Sequence, residues 1–374
     1  MFIVRRLSAA LAALLAMSAF LATACAPAAL PGATPVPTGA TSVSSTAAPT
    51  AAKPAATNLV TVKYGQLTPP SVSDSGVLIA NAKGWFAEQG IKLDVVSFDT
   101  AGNMTSPLGT NQIDAGGGSV GAGLFNAVAR GVPIVIVADK GTTSPGHGYL
   151  GLVVRKALVE SGQVKTVADL KGKKIALSST AIAPEVALAD LLKTAGLTTA
   201  DVDIVPLAFP DMVVALANGT IDAAEPIEPF LTDQVTKGAG VVFKRADEYS
   251  PNSQNAVLLY SPGFAANKDV ATRFMVAYLK GARLYADAFD KKDTVARTEV
   301  IGLLSQLTSL KDPALYDKVA MPGLAPDGRV NAESLQQQQQ YYLGTGQQQT
   351  ALEVNKVVDA SFAEAAAAQL GPYR

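Results

Sequence analysis

The chain reads as an α/β protein of two lobes with parallel sheets, followed by a helical tail. Three observations predict this. Along residues 59–260, short apolar strands alternate with amphipathic helical stretches, and the alternation runs through twice. One strand, 132–137, is apolar almost without interruption, as a strand covered on both faces should be. After Ser261 the pattern is helical through to Ala368.

Each element has its own signal. Residues 59–65 alternate apolar and polar side chains, which predicts a strand. A Pro-rich polar loop, 66–75, leads into a helix over 76–89, with Val77, Ile79, Ala80, Trp85 and Phe86 on its apolar face and Gly90 as its stop. Strands are expected at 91–98 and from Ile113, with a helix over 120–130 stopped by Gly131 before strand 132–137. The second round places strands at 149–155, 173–177, 202–207, 221–224 and 241–245. Helices at 183–195, 211–218 and 228–237 lie between them, and 255–260 reads as a return strand. The glutamine runs 336–340 and 347–349 read as solvated helix surface or loop.

The chain has 374 residues, 30 Lys+Arg against 31 Asp+Glu, one cysteine and one histidine. Near-neutral charge offers no basic field for nucleic acid. One cysteine allows no disulfide within the chain, and one histidine beside it leaves little for a metal site; no metal and no cofactor is expected.

The N-terminus carries a different message. Arg5 and Arg6 precede an apolar run, 7–21, too short to span a bilayer as a stable helix, so residues 1–24 read as an export signal. The run ends at Leu21-Ala22-Thr23-Ala24-Cys25, which resembles a lipobox whose Cys25 thiol receives lipid. Ala22-Thr23-Ala24 also fits an ordinary secretory peptidase, and the lipobox leucine stands one place early, at Leu21. Residues 26–58 are almost all Ala, Pro, Thr, Ser, Gly and Val, with Lys53 the only charge; they cannot build a core and read as a tether. A tether favours a start fixed to a surface, hence a lipid-anchored protein at the outer face of a cell membrane.

Several segments of the body carry a family resemblance. They include Ala82-Lys83-Gly84-Trp85-Phe86-Ala87-Glu88-Gln89-Gly90-Ile91, Gln112-Ile113-Asp114-Ala115-Gly116 and Arg130-Gly131-Val132-Pro133. Asp169-Leu170-Lys171-Gly172-Lys173-Lys174-Ile175-Ala176, Ala215-Leu216-Ala217-Asn218-Gly219-Thr220-Ile221-Asp222-Ala223 and Glu228-Pro229-Phe230 follow in order. With these the chain resembles the solute-binding proteins of ABC importers, in the nitrate/sulfonate/thiamine-precursor group. The resemblance implies a two-lobed periplasmic-binding-protein clamshell (type II), with 59–147 plus 256–374 as lobe 1 and 148–255 as lobe 2. It implies a monomer that holds its ligand between the lobes and hands it to permease and ATPase subunits, with no nucleic-acid partner.

On that fold six loops face the ligand: 69–75, 116–119, 142–149, 178–182, 209–212 and 225–228. None contains Lys or Arg, Lys140 being the nearest, so the cleft is expected to be cation-free and rich in carboxylates and hydroxyls. The candidate ligand residues are Ser73, Asp74, Ser119, His147, Tyr149, Ser179, Thr180, Asp211, Glu225 and Glu228. Small-anion binders of the family often place Gly-Ser or a cation after segment 171–177; here Ser178 to Ile182 has neither. A donor-rich ring compound such as riboflavin is the expected ligand, resembling the flavin-binding branch, with Tyr149, Phe209 and Phe230 available to stack. Alkanesulfonate, nitrate and the thiamine pyrimidine precursor are the alternatives, as is a ligand sensor without transport. Several residues have plain structural roles to weigh: Glu228 as a helix cap, Asp211 as an N-cap, Trp85 as core, His147 as a solvated hinge residue. An enzyme is not expected: His147 is the only base for a nucleophilic triad, with no Gly-x-Ser-x-Gly turn near it.

Overall fold

The computed structural model describes residues 59–374. The export signal, Cys25 and the tether lie outside the described residues, and no described helix is long and apolar enough to cross a membrane.

Two five-stranded sheets organise the chain. The first takes β1 (Val60–Leu67), β2 (Ile91–Phe98), β3 (Ala115–Gly118) and β4 (Val135–Thr142). The second takes β5 (Gly151–Arg155), β6 (Lys174–Leu177), β7 (Asp203–Pro206), β8 (Ala223–Ala224) and β9 (Gly240–Arg245). Strand β10 (Gln254–Tyr260) then returns to the first sheet, giving orders β2-β1-β3-β10-β4 and β7-β6-β8-β5-β9. β1 runs parallel to β2 (Val60 beside Ile91) and to β3, and β6 parallel to β7 and β8. The sheets are mixed, however, which corrects the expectation of parallel sheets. β10 is antiparallel to β3 and β4, and β5 to β8 and β9. Apolar runs mark these strands as buried, but they do not encode direction; the crossings between lobes do.

The helices are α1 (Ser75–Ala82), α2 (Trp85–Glu88), α3 (Thr105–Gly109) and α4 (Ala122–Ala129) in the first lobe, then α5 (Lys156–Glu160), α6 (Ala183–Lys193), α7 (Phe209–Ala217), α8 (Phe230–Thr236) and α9 (Ala246–Tyr249) around the second sheet. The tail holds α10 (Pro262–Ala266), α11 (Lys268–Phe289), α12 (Thr294–Leu307), α13 (Ala332–Gly344) and α14 (Ser361–Leu370). It is therefore helical with two irregular stretches, 308–331 and 345–360, that hold only short 3-10 turns. The single helix expected over 76–89 is broken between α1 and α2 at Gly84, whose φ of 73° leaves the helical region. Trp85 is half-buried rather than core, with the Lys83 and Lys280 ammoniums beside its ring.

The long helix α11 packs on α1, α12 and α14 and supplies the centre of the first core. Its Phe274 meets Phe86 at 4.9 Å between ring centroids and Tyr260 edge-on at 5.8 Å. α1 and α11 approach closely because both contact points are glycine: a Cβ on Gly281 would lie 2.0 Å from the Gly76 carbonyl oxygen. On the second sheet, Leu152, Val154, Ile175 and Leu177 form a separate core with Leu188, Leu191 and Leu192 of α6, while alternate residues Val153 and Ala176 join the main core.

The glutamine runs are surface only in part. Gln338 and Gln339 of α13 and Gln348 are buried, and the neighbours Gln336, Gln337 and Gln340 are exposed. Gln338 donates to the Gln254 carbonyl at 2.9 Å. Gln339 Oε1 accepts from Gln348 Nε2 and from the Leu352 amide, so the run folds the tail back on itself.

Candidate functional site

The lobes meet along a cleft whose floor is built by the Pro-rich loop after β1. Ser71 caps the turn 72–74: Asp74 Oδ2 accepts from the Ser71 amide at 2.9 Å and from its hydroxyl at 3.0 Å, which turns Asp74 Oδ1 toward β4. There it meets Lys140 Nζ at 2.9 Å, with both side chains buried. The same ammonium donates to Ser73 Oγ at 3.1 Å, and Ser73 shares a 2.8 Å hydrogen bond with Ser71. The lysine reaches the floor because β3 is glycine at the crossing point. A Cβ on Gly117 would fall 2.4 Å from Lys140 Cε and 2.3 Å from the Tyr64 hydroxyl.

This corrects the expectation of a cation-free cleft. Lys140 sits in the strand rather than in a loop, so a search confined to loops misses it, but its side chain lines the cleft beside Ser73, Ser119 and Asn255. The facing lobe contributes Tyr149, Ser178, Phe209 and Ile227. Between them remains a cavity of about 20 Å³, room for about one water.

Backbone hydrogen bonds hold the two sides together at both ends of the cleft. The Val72 amide donates to the Glu228 carbonyl at 3.1 Å. At the other end Ala122 donates to Ala181 and Ala183 to Val120, each at 2.9 Å. Gly121 is required at this seam, since a Cβ there would lie 2.5 Å from the Ala181 oxygen.

With Asp74 fully buried behind Lys140, the structure thus brings Ser73, Ser119 and Tyr149 to the cleft. Ser179 is half-buried at its edge beside Gly102, and Thr180 is exposed. The remaining candidates lie elsewhere. His147 turns toward the tail: Nδ1 is 3.1 Å from the Met321 carbonyl and Nε2 is 3.8 Å from Asp290, in a separate open cavity of about 690 Å³. Asp211 is exposed in the first turn of α7, whose N-cap is Ala208, so it is neither cap nor cleft residue.

Glu228 is buried and spends both carboxylate oxygens locally. Oε2 accepts from the Thr232 amide at 3.0 Å, and Oε1 from the Thr232 hydroxyl and Arg245 at 3.0 and 3.3 Å. It ties α8 to β9, and burial raises its pKa against those donors.

Glu225 follows β8 in the second lobe and is fully buried; Oε1 accepts from the Tyr249 hydroxyl at 2.6 Å, and Oε2 has no hydrogen-bond partner among the described residues. Burial pushes its carboxyl up to about 8, with the Asp190 carboxylate nearby adding to the rise. Glu225 is not among the residues that line the cleft. Phe209 and Phe230 stack on each other, with centroids 5.2 Å apart and 16° between planes, so only Phe209 also faces the cleft. The missed residues, Lys140 and Asn255, both belong to strands. The signal for Lys140 was an Asp139-Lys140 pair directly after an apolar run and before Gly141.

No group of three or more His, Cys, Asp or Glu side chains among the described residues is placed to hold a metal ion.

Solved structures resemble this one across most of its length. The alkanesulfonate-binding protein SsuA of Xanthomonas axonopodis pv. citri, bound to MOPS, superposes with a TM-score of 0.65 at 20% identity, covering 83% of this chain and 99% of its own. A ligand-binding component of an ABC-type import system from Staphylococcus aureus, with zinc bound, gives 0.67 at 16% identity over 81% and 98%. The Candida albicans CA3427 gene product, described as having the generic periplasmic binding protein fold, gives 0.60 at 16% identity over 81% and 97%. No curated protein sequence matches the chain. These likenesses give the fold, a two-lobed α/β periplasmic-binding-protein fold with a helical C-terminal region. The model of the family described as NMT1/THI5 like matches residues 72–290, more than half of the chain, and the protein is a member of that family.

Proposed function

We propose that the protein is the solute-binding component of an ABC importer, taking a small molecule between its lobes and presenting it to a permease and its ATPase. The observation that carries this reading is the cleft itself. Two sheet-based lobes face each other across a closed seam, and buried polar groups of both lobes converge there with no catalytic constellation among them. Lobe 1 is then 59–147 plus 256–374 and lobe 2 is 148–255. The export signal read over residues 1–24 supports a receptor that works outside the cytoplasm, and the lipobox-like run ending at Cys25 supports a lipid anchor there.

For the ligand, charge balance favours a net-neutral compound rich in hydroxyl and amide groups, with riboflavin as the leading example. Lys140 is already neutralised by Asp74 at 2.9 Å, so a bound anion would add uncompensated charge to a buried site. Tyr149 and Phe209 offer aromatic surface. A flavin is far larger than the 20 Å³ cavity, so its entry requires the lobes to part. A second reading is an alkanesulfonate or nitrate. It rests on the Lys140 ammonium and the Ser73, Ser119 and Ser178 hydroxyls in one cavity lining, and on the likeness to a protein named for alkanesulfonate.

Titrating the protein into riboflavin and following flavin fluorescence separates these readings. Saturable quenching at submicromolar protein, about −8 kcal/mol or better, supports a vitamin receptor. Absence of quenching removes riboflavin, and calorimetry with nitrate, an alkanesulfonate and the thiamine pyrimidine then decides among the rest.

A further inference from the structure

One buried carboxylate near the cleft belongs to neither its floor nor its walls. Glu185, in the first turn of α6, is 3% exposed and accepts three hydrogen bonds. Oε2 takes the Ala181 amide at 2.6 Å, and Oε1 takes the Tyr341 hydroxyl at 3.0 Å and Gln347 Nε2 at 2.7 Å. The first partner belongs to the cleft loop after β6; the other two belong to the tail. Among the described residues no cation pairs with Glu185, so these donors alone stabilise its buried oxygens.

The tail segment is bound to the opposite lobe as well. Asn126 of α4 donates to the Gln347 carbonyl at 2.9 Å and accepts from the Gln349 amide at 3.2 Å. The segment 341–349 thus spans both lobes, gripping α4 through Asn126 and α6 through Glu185. Ala181, whose amide Glu185 holds, has φ of 56° and presents its carbonyl to Ala122 across the seam. An alanine in this left-handed region is strained and persists only when its surroundings enforce it. Glu185 holds the Ala181 amide and Ala122 its carbonyl, so both sides of the residue are fixed.

We propose that Glu185 is a positioning residue for closure: it couples the cleft loop 178–182 to docking of the C-terminal segment 341–349, which acts as a strap holding the lobes together. Parting the lobes must strip the Glu185 carboxylate of its tail donors or strip the segment from Asn126. The strap therefore weights the balance between open and closed forms, and with it the rate at which a bound solute leaves. The consequence for solute release rests on the transport-receptor reading; the strap itself does not.

The test is amide hydrogen exchange on the full chain, without added solute, for E185Q and for Q347A. Q347A removes one donor from an irregular segment and keeps the question open to measurement if E185Q folds poorly. Exchange at the Ala122 and Ala183 amides, which donate across the seam, should rise at least tenfold while the amides of α11 stay protected. Unchanged exchange at Ala122 and Ala183 in both variants overturns the proposal, as does a uniform rise that includes α11, which would mark a purely structural role. Release of whichever solute binds should quicken in the same variants. A loosened seam in a protein that binds none of the candidate solutes would uphold the strap and sink the transport reading.

Discussion

The first lobe reaches the cleft with an ion pair, and the second with hydroxyls and rings, although the two sheets share one strand plan. In each, three parallel strands are followed by an antiparallel strand and then the last edge strand. In the first sheet the antiparallel strand is β10, which comes from the far end of the body; in the second it is β5, which comes first. On the first sheet a glycine strand, β3, leaves room for Lys140 to line the cleft while it pairs with the buried Asp74. On the second, Glu228 turns inward onto Thr232 and Arg245, and Glu225 is buried with Oε1 on Tyr249 and Oε2 unpartnered among the described residues. Acidic residues are therefore poor evidence of a ligand site until their partners are known, because burial and local donors can hold them away from the cleft, as they hold Glu228.

The comparison breaks most severely if Lys140 can be lost without cost. Lys140→Met leaves Asp74 buried and unpaired, and should destabilise the protein by about 3–5 kcal/mol in urea titration. Adding Asp74→Leu to that variant should recover much of the loss.

The second lobe is tested by pH. Glu225 has a folded pKa of about 8 against 4.5 for the free group, so the folded state keeps a proton that the unfolded chain gives up. Its contribution is full below pH 4.5 and is lost as pH rises through 8, by up to about 5 kcal/mol. Asp139, buried on β4 and raised to about 6, acts in the same sense at lower pH. Stability should fall between pH 5 and 8.5, and Glu225→Gln should flatten the upper part of that slope; an unchanged slope would place the titrating group elsewhere.

Ser178→Ala and Ser73→Ala, one from each side of the cleft, should each weaken solute binding by about 1 kcal/mol in calorimetry. Asp211→Asn, on the exposed turn of α7, should change neither affinity nor stability by more than about 0.5 kcal/mol.

Much of the architecture was legible along the chain. Period-two and period-3.6 patterns located the strands and most helices, and the runs around Gly90, Gly131 and Gly219 ended helices where left-handed glycines are found. The short α3, α5 and α9 escaped, since four or five residues carry too few repeats to show a helical period. Ser73, Ser119 and Tyr149 line the cleft, Asp74 is buried behind Lys140, and the side chains of His147, Asp211, Glu225 and Glu228 lie elsewhere.

What the sequence determined by itself was the family, the α/β alternation, the split into two lobes and the near-neutral charge, because each is written in local periodicity, composition or contiguous motifs. What only the tertiary structure decided was direction and partnership. It turned β5 and β10 antiparallel, carried Lys140 over Gly117 to Asp74, buried Gln338, Gln339 and Gln348, and set Glu185 between the cleft loop and the tail. Many of those outcomes join residues far apart in the chain: Ser73 and Lys140 are 67 positions apart, and Glu185 and Gln347 are 162. A side chain's environment, and so its charge and its role, is fixed by neighbours that no local pattern records.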